Sequence, residues 1–152
     1  MKTKLLALLL GLFLLAPCLA SCVGQIEDTN GEDTALTTVT DADITAKRPS
    51  YHAVGMVRSQ LIAKQTIRVS TLSGVYEFNA YTADGGTLTV TLSTILHEGN
   101  LRAVLLHEGA YVQDLPIGEG QTVSIANATG KYQVRLAAES AKVDATLSFS
   151  EA

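Results

Sequence analysis

The residues best suited to chemistry in this chain form a small set. His97-Glu98-Gly99 and His107-Glu108-Gly109 repeat one tripeptide ten residues apart, and histidine beside glutamate invites a metal reading. The spacing argues against a shared ion. If 97–100 is a turn and 101–107 a strand, six or seven residues at about 3.3 Å each put the two histidines roughly 20 Å apart. Neither pair is the helical His-Glu-x-x-His arrangement. Glu98, Glu108, Asp114 and Glu119 are the only cluster that could supply a paired general acid and base. All four lie near expected turns and read as a solvated rim. No Gly-x-Ser-x-Gly nucleophile elbow occurs. The expectation is a chain with no catalytic residue, no metal site and no cofactor.

Binding chemistry is a separate matter. Sugar platforms are usually built on exposed aromatic rings. This chain has no tryptophan and five tyrosines. Tyr76 and Tyr132 fall on expected inward faces. Tyr81 falls on the face opposite Tyr76 and Phe78, and Tyr51 and Tyr111 sit near strand ends or loops. Tyr51, Tyr81 and Tyr111 are therefore the candidate ligand contacts.

The elements that must carry these residues differ along the chain. The 152 residues hold 11 Lys and Arg against 15 Asp and Glu, a net charge of −4. With no basic excess, nucleic acid is not an expected partner. Residues 1–22 read MKTKLLALLLGLFLLAPCLASC. Lys2 and Lys4 precede an apolar run from Leu5 to Ala16, then Pro17 and small residues follow, which is the pattern of an export signal. The run is short for a spanning helix, which needs about 20 apolar residues.

Leu19-Ala20-Ser21-Cys22 resembles the lipobox of bacterial lipoproteins. The resemblance implies a diacylglycerol on the Cys22 thiol and cleavage before Cys22, with the protein held on the outer face of a bacterial membrane. Residues 1–21 are then the signal and residues 22–46 a flexible tether. Residues 23–46 contain six acids, no base and six threonines, a composition that favours disorder. About 24 such residues reach roughly 25–30 Å. Within them, 35–40 (ALTTVT) is β-prone and fits a first edge strand. Residues 47–152 carry nine bases and nine acids, so the expected domain is neutral.

That domain repeats itself. Residues 65–78 (QTIRVSTLSGVYEF) and 121–134 (QTVSIANATGKYQV) match at Gln65/Gln121, Thr66/Thr122, Ile67/Val123, Val69/Ile125, Gly74/Gly130, Tyr76/Tyr132 and Phe78/Val134. With a one-residue slip, Leu88, Val90 and Leu92 match Val143, Ala145 and Leu147. Apolar residues alternate with polar ones at period two, as half-buried strands require. Gly74 and Gly130 precede strands where the chain needs positive φ. Asp84-Gly85-Gly86 signals a turn. Threonines line the outside of 87–92. Residues 101–107 (LRAVLLH) are apolar on both faces and suit a central, covered strand. Residues 52–58 favour a strand, although Val54, Val57 and Leu61 also fit a helical spacing. The result is an all-β fold, about eight antiparallel strands in a jelly-roll-like β-sandwich of two similar halves (about 52–95 and 101–149).

The order from Leu61 to Phe149, with Gly-x-Tyr before a strand in both halves, resembles the bacterial pre-peptidase C-terminal type of β-sandwich. That resemblance implies an accessory, non-catalytic domain. The function expected from the sequence is thus a membrane-anchored binding module for an envelope protein or glycan. A spacing lipoprotein without a specific ligand is the alternative, and a small hydrolase using the 97–119 rim comes third.

Overall fold

The computed structural model describes residues 36–152. The signal and Cys22 lie outside the described residues. After a short helix, α1 (Asp41–Thr45), seven strands follow. They are β1 (Tyr51–Val54), β2 (Val57–Leu61), β3 (Lys64–Asp84), β4 (Leu88–His107), β5 (Ala110–Leu115), β6 (Gln121–Ile125) and β7 (Thr129–Glu151). All pairings are antiparallel, and the three long strands lie side by side as β3-β7-β4. The fold class is the one expected, an all-β sandwich.

The two layers are halves of one sheet that bends on itself. The ladder between β3 and β7 jumps from Leu72↔Ala141 to Gly74↔Ala138, and that between β4 and β7 from Glu98↔Lys142 to Asn100↔Glu139. These irregularities fall in one row across three neighbouring strands. Bulges add residues to one strand and bend it; a row of them folds the sheet. Gly74 (φ +92), Gly99 (φ +77) and Ser140 (φ +52) take left-handed backbone in this row. At Gly99 a Cβ would lie 2.3 Å from the Ser140 carbonyl oxygen and 2.6 Å from that of Glu139, so only glycine lets β4 pass over β7 there.

The fold row divides the sheet. The first half-sheet holds β2, the start of β3, the end of β7, the start of β4 and β6. The second holds the end of β3, the start of β7, the end of β4 and β5. Their inner faces share one core that includes Ile67, Val69, Leu92, Leu147, Tyr76, Phe78, Leu105, Val134 and Leu136. Residues 97–100 were expected to be a turn between two strands. They are a bulge inside β4, whereas the same tripeptide at 107–109 closes the β4–β5 hairpin with Glu108 (φ 50) and Gly109 (φ 83).

The repeat is visible in this plan. Each copy starts in the first half-sheet (Ile67 and Val69; Val123 and Ile125) and continues into the second (Tyr76 and Phe78; Tyr132 and Val134). The junctions are exchanged. In the first copy the glycine sits at a bend within β3 and the chain then turns at 85–87. In the second the chain turns at 126–128 just before Gly130, and the bend comes later, at Ser140 within β7. Both glycines have the expected positive φ, +92 at Gly74 and +79 at Gly130.

The expected tether of 22–46 is corrected at its C-terminal end. From Leu36 the chain lies on the outer face of the second half-sheet. Ile44, 1% exposed, joins Val75, Val104, Leu106 and Ala137 in a second buried cluster, with Leu36 and Val39 packed against it. Burying Ile44 contributes roughly 1.5–3 kcal/mol. The expected strand of 35–40 is not formed over its described part, 36–40, because the Thr37, Thr38 and Val39 amides donate to the Glu139 carboxylate rather than to a sheet edge. Residues 52–64 form β1, β2 and the first residue of β3 with short breaks at 55–56 and 62–63, and not a helix. Both buried clusters and all seven described strands lie within 36–152, a core and length of the kind that suffices for a domain to fold alone.

Candidate functional site

Three clamps hold the N-terminal strap. Thr40 caps α1: its hydroxyl accepts from the Asp43 amide at 3.3 Å, and the Asp43 carboxylate accepts from the Thr40 amide at 2.9 Å. At the helix's other end, the Arg135 guanidinium, 3% exposed, donates to the carbonyls of Ile44 (2.6 Å) and Ala46 (2.7 Å). Ahead of the helix, the Glu139 carboxylate accepts from the Thr37 amide at 2.7 Å, the Val39 amide at 3.2 Å, and the Thr38 amide. The Thr38 amide first, with the Thr38 hydroxyl and the neighbouring amides, holds the Glu139 carboxyl down at about 2. The third clamp is Arg102, which donates to Asp41 at 2.6 Å and to Asp114 on β5 at 3.0 Å.

This strap creates a groove that the sheet alone lacks. Asp41, Ile44 and Thr45 form one wall and Arg102 and Tyr111 the other, around about 370 Å³. The volume lies in the range of small-molecule sites, which are mostly apolar with a few placed polar groups. Tyr111 is 51% exposed at its rim. The Arg102 guanidinium is spread between two carboxylates, and the hydrogen bond to Asp41 raises its pKa further. The groove offers an aromatic ring, an aliphatic floor and fixed donors and acceptors.

The three candidate tyrosines do not converge. Tyr51 lies on β1 and Tyr111 on β5, at opposite edges of the sheet. The Tyr51 ring packs edge-on against Tyr76 at 4.9 Å. Tyr81 is a correction. It was placed on the outer face, but the ladder slips between Glu77↔Arg135 and Asn79↔Val134, leaving Phe78 as an extra residue. One inserted residue reverses the facing of everything after it. Tyr81 therefore packs against the core, stacked on Phe149 at 5.6 Å with its hydroxyl donating to Glu151 at 3.1 Å. It is not a free ligand contact.

The histidines and acids are likewise dispersed. His97 lies 3.4 Å from Asp144, which also pairs with Arg68 at 3.0 Å. His107 stacks on Tyr132 at 4.5 Å and meets the Thr129 carbonyl at 2.7 Å. Among the described residues no group of three metal-ligating side chains comes together. Glu98 is at the fold row near Lys142, Glu108 binds the Lys131 amide at 2.7 Å, Asp114 is bound to Arg102, and Glu119 is in the β5–β6 loop. The strap residues Asp41 and Thr45 were missed in the sequence, where they read as tether. The capping pair Thr40 and Asp43 just before Ile44 was the available signal.

No protein-family model matches this chain. No curated protein matches it either. Among solved structures it is similar to the CBM36-1 domain of a multidomain xylanase from the hindgut metagenome of Trinervitermes trinervoides, at 16% identity and TM-score 0.33, covering 69% of this chain and 98% of that one. It is also similar to a substituted carbohydrate-binding module CBM29-2 complexed with mannohexaose (12% identity, TM-score 0.29, 66% and 80% covered). A third is carbohydrate-binding module CBM36 in complex with calcium and xylotriose (18% identity, TM-score 0.28, 66% and 99% covered).

Proposed function

We propose that this protein is a non-catalytic β-sandwich binding module that takes a glycan in the groove between the strap and β5, and that it is exported and anchored through a lipid on Cys22. The observation that carries the binding site is the half-exposed Tyr111 ring beside Arg102, Asp41 and Thr45 around a 370 Å³ groove. An aromatic face suits the C–H face of a sugar ring, and planar guanidinium and carboxylate groups suit paired hydroxyls. The anchor rests on the Leu19-Ala20-Ser21-Cys22 order. With the strap packed from Leu36, about 14 residues separate it from Cys22.

The test is a glycan screen with residues 36–152, followed by titration of the best oligosaccharide. Tyr111→Ala is expected to weaken binding tenfold or more, and Tyr51→Ala to leave it unchanged. Equal loss from both, or no binding to any glycan, refutes the groove. Mass spectrometry of the mature N-terminus checks the anchor separately and should show acylated Cys22.

One observation favours a second reading. Tyr51 and Tyr111 stand at opposite sheet edges and Tyr81 is packed inward, so the described residues form no extended aromatic platform. A spacing role, or a protein partner, follows if the glycan screen is empty.

A further inference from the structure

The edge formed by β1 and β2 differs from the rest of the surface. β1 and β2 lie end to end along β3, pairing with 71–74 and 64–68. Its exposed side chains include Val57 (67%), Leu61 (69%) and, at the tip of the β2–β3 hairpin, Ile62 (108%). Edge strands usually carry charge or cover instead of large aliphatics. The charges here have one sign. Between Asp43 and Glu77 the chain has no acid, but it has Lys47, Arg48, Arg58, Lys64 and Arg68, more than half of the domain's nine bases. Arg68 is paired with Asp144. Among the described residues no carboxylate pairs with Lys47, Arg48, Arg58 or Lys64.

We propose that the β2–β3 hairpin is a membrane contact: Leu61 and Ile62 enter the interface of an anionic lipid bilayer while Arg58, Lys64 and the bases behind them meet its headgroups. Leu61 and Ile62 put two large exposed aliphatics side by side at the tip, with Arg58 before them and Lys64 after, a combination suited to the apolar and anionic layers of a bilayer interface. These cations, none neutralised by a carboxylate although Arg58 meets the Tyr76 hydroxyl, supply the charge complementarity to anionic headgroups, with effects confined to about a Debye length. This contact is independent of the groove at Tyr111 and of Cys22. It would lay the domain against the membrane with the hairpin down.

The test uses residues 36–152, which lack Cys22. Flotation with vesicles containing about 30% phosphatidylglycerol should recover the protein. Neutral phosphatidylcholine vesicles should not, and raised salt should release it. Ile62→Asp is expected to lower partitioning tenfold or more, and Lys64→Gln about fivefold. An environment-sensitive fluorophore on Ile62→Cys should shift to the blue on binding, and one on Thr122→Cys should not. Absence of binding, equal binding to both vesicle types, or indifference to Ile62→Asp overturns the proposal. So does a concentration-dependent dimer abolished by Ile62→Asp, which would assign the tip to a second copy of this chain.

Discussion

The two outer faces of the folded sheet are made by the same three long strands and have opposite fates. On the second half-sheet, Val75, Val104, Leu106 and Ala137 point outward and are buried beneath the strap. On the first, the register aligns Ser150–Thr89–Ser124, Ser148–Thr91–Thr122 and Ser59–Thr66–Thr146–Ser93 in rows, and none of these ten is fully buried. Their hydroxyls bond sideways, as at Thr66–Thr146 (3.2 Å) and Thr89–Ser124 (3.4 Å). A strand that must be covered on both faces carries aliphatics on both; a strand covered on one carries hydroxyls on the other. The strap is thus a requirement of one half and superfluous on the other.

Crossing the boundary between the faces should cost most. Gly99→Ala forces a Cβ against two β7 carbonyl oxygens at positive φ, and a loss of roughly 3–5 kcal/mol is expected by urea unfolding. Gly85→Ala, also at positive φ but with nothing within 4 Å, should cost about 1 kcal/mol. A similar cost for both would mean that the close crossing of β4 over β7 is not what holds the bend.

Next comes the plug. Ile44→Ala empties the centre of the covered face, and about 2–4 kcal/mol should be lost. If the strap only lay on the surface, the change would be below about 0.5 kcal/mol.

The Glu139 clamp gives a pH signature. Its carboxyl lies at about 2 in the fold against an ordinary value of 4.5. A depressed folded value contributes stability above the unfolded one, and this is lost as pH falls from about 4.5 toward 2. Amide exchange at Thr37–Val39 should rise through that window. Glu139→Gln should raise exchange at neutral pH and flatten the dependence. An unchanged profile in the variant would remove Glu139 as the cause.

The smallest effect belongs to the open face. Thr91→Val, on the hydroxyl rows, should shift stability by no more than about 0.5 kcal/mol. A larger loss would mean the hydroxyl face is structurally coupled and not merely solvated.

Much of this contrast was legible from residue order. Leu101, Ala103 and Leu105 alternate with Arg102, Val104 and Leu106, which announces a doubly covered strand, and both sets are buried except Arg102. The outward threonines of 87–92 were equally plain. What covered the first of these strands was not, because Ile44 sits among acids and threonines that read as disordered. Clamping by Arg135 and Glu139 reverses that reading, and these residues lie about 90–100 positions away in sequence. The groove at Tyr111 depends on the same strap and was illegible for the same reason. Tyr81 was misplaced by a single bulge at Phe78, since period-two reasoning carries no sign of an inserted residue.

By itself, then, the sequence determined the all-β class, the repeat, the turn at 85–86 and which residues could enter a core. These follow from local alternation and from backbone preferences, which act over a few residues. The tertiary structure alone decided that three strands would run through both layers, that an acidic segment would be pinned as a strap, and which tyrosines would face out. Those outcomes rest on cross-strand register at one row and on long-range hydrogen bonds, and neither leaves a periodic mark along the chain.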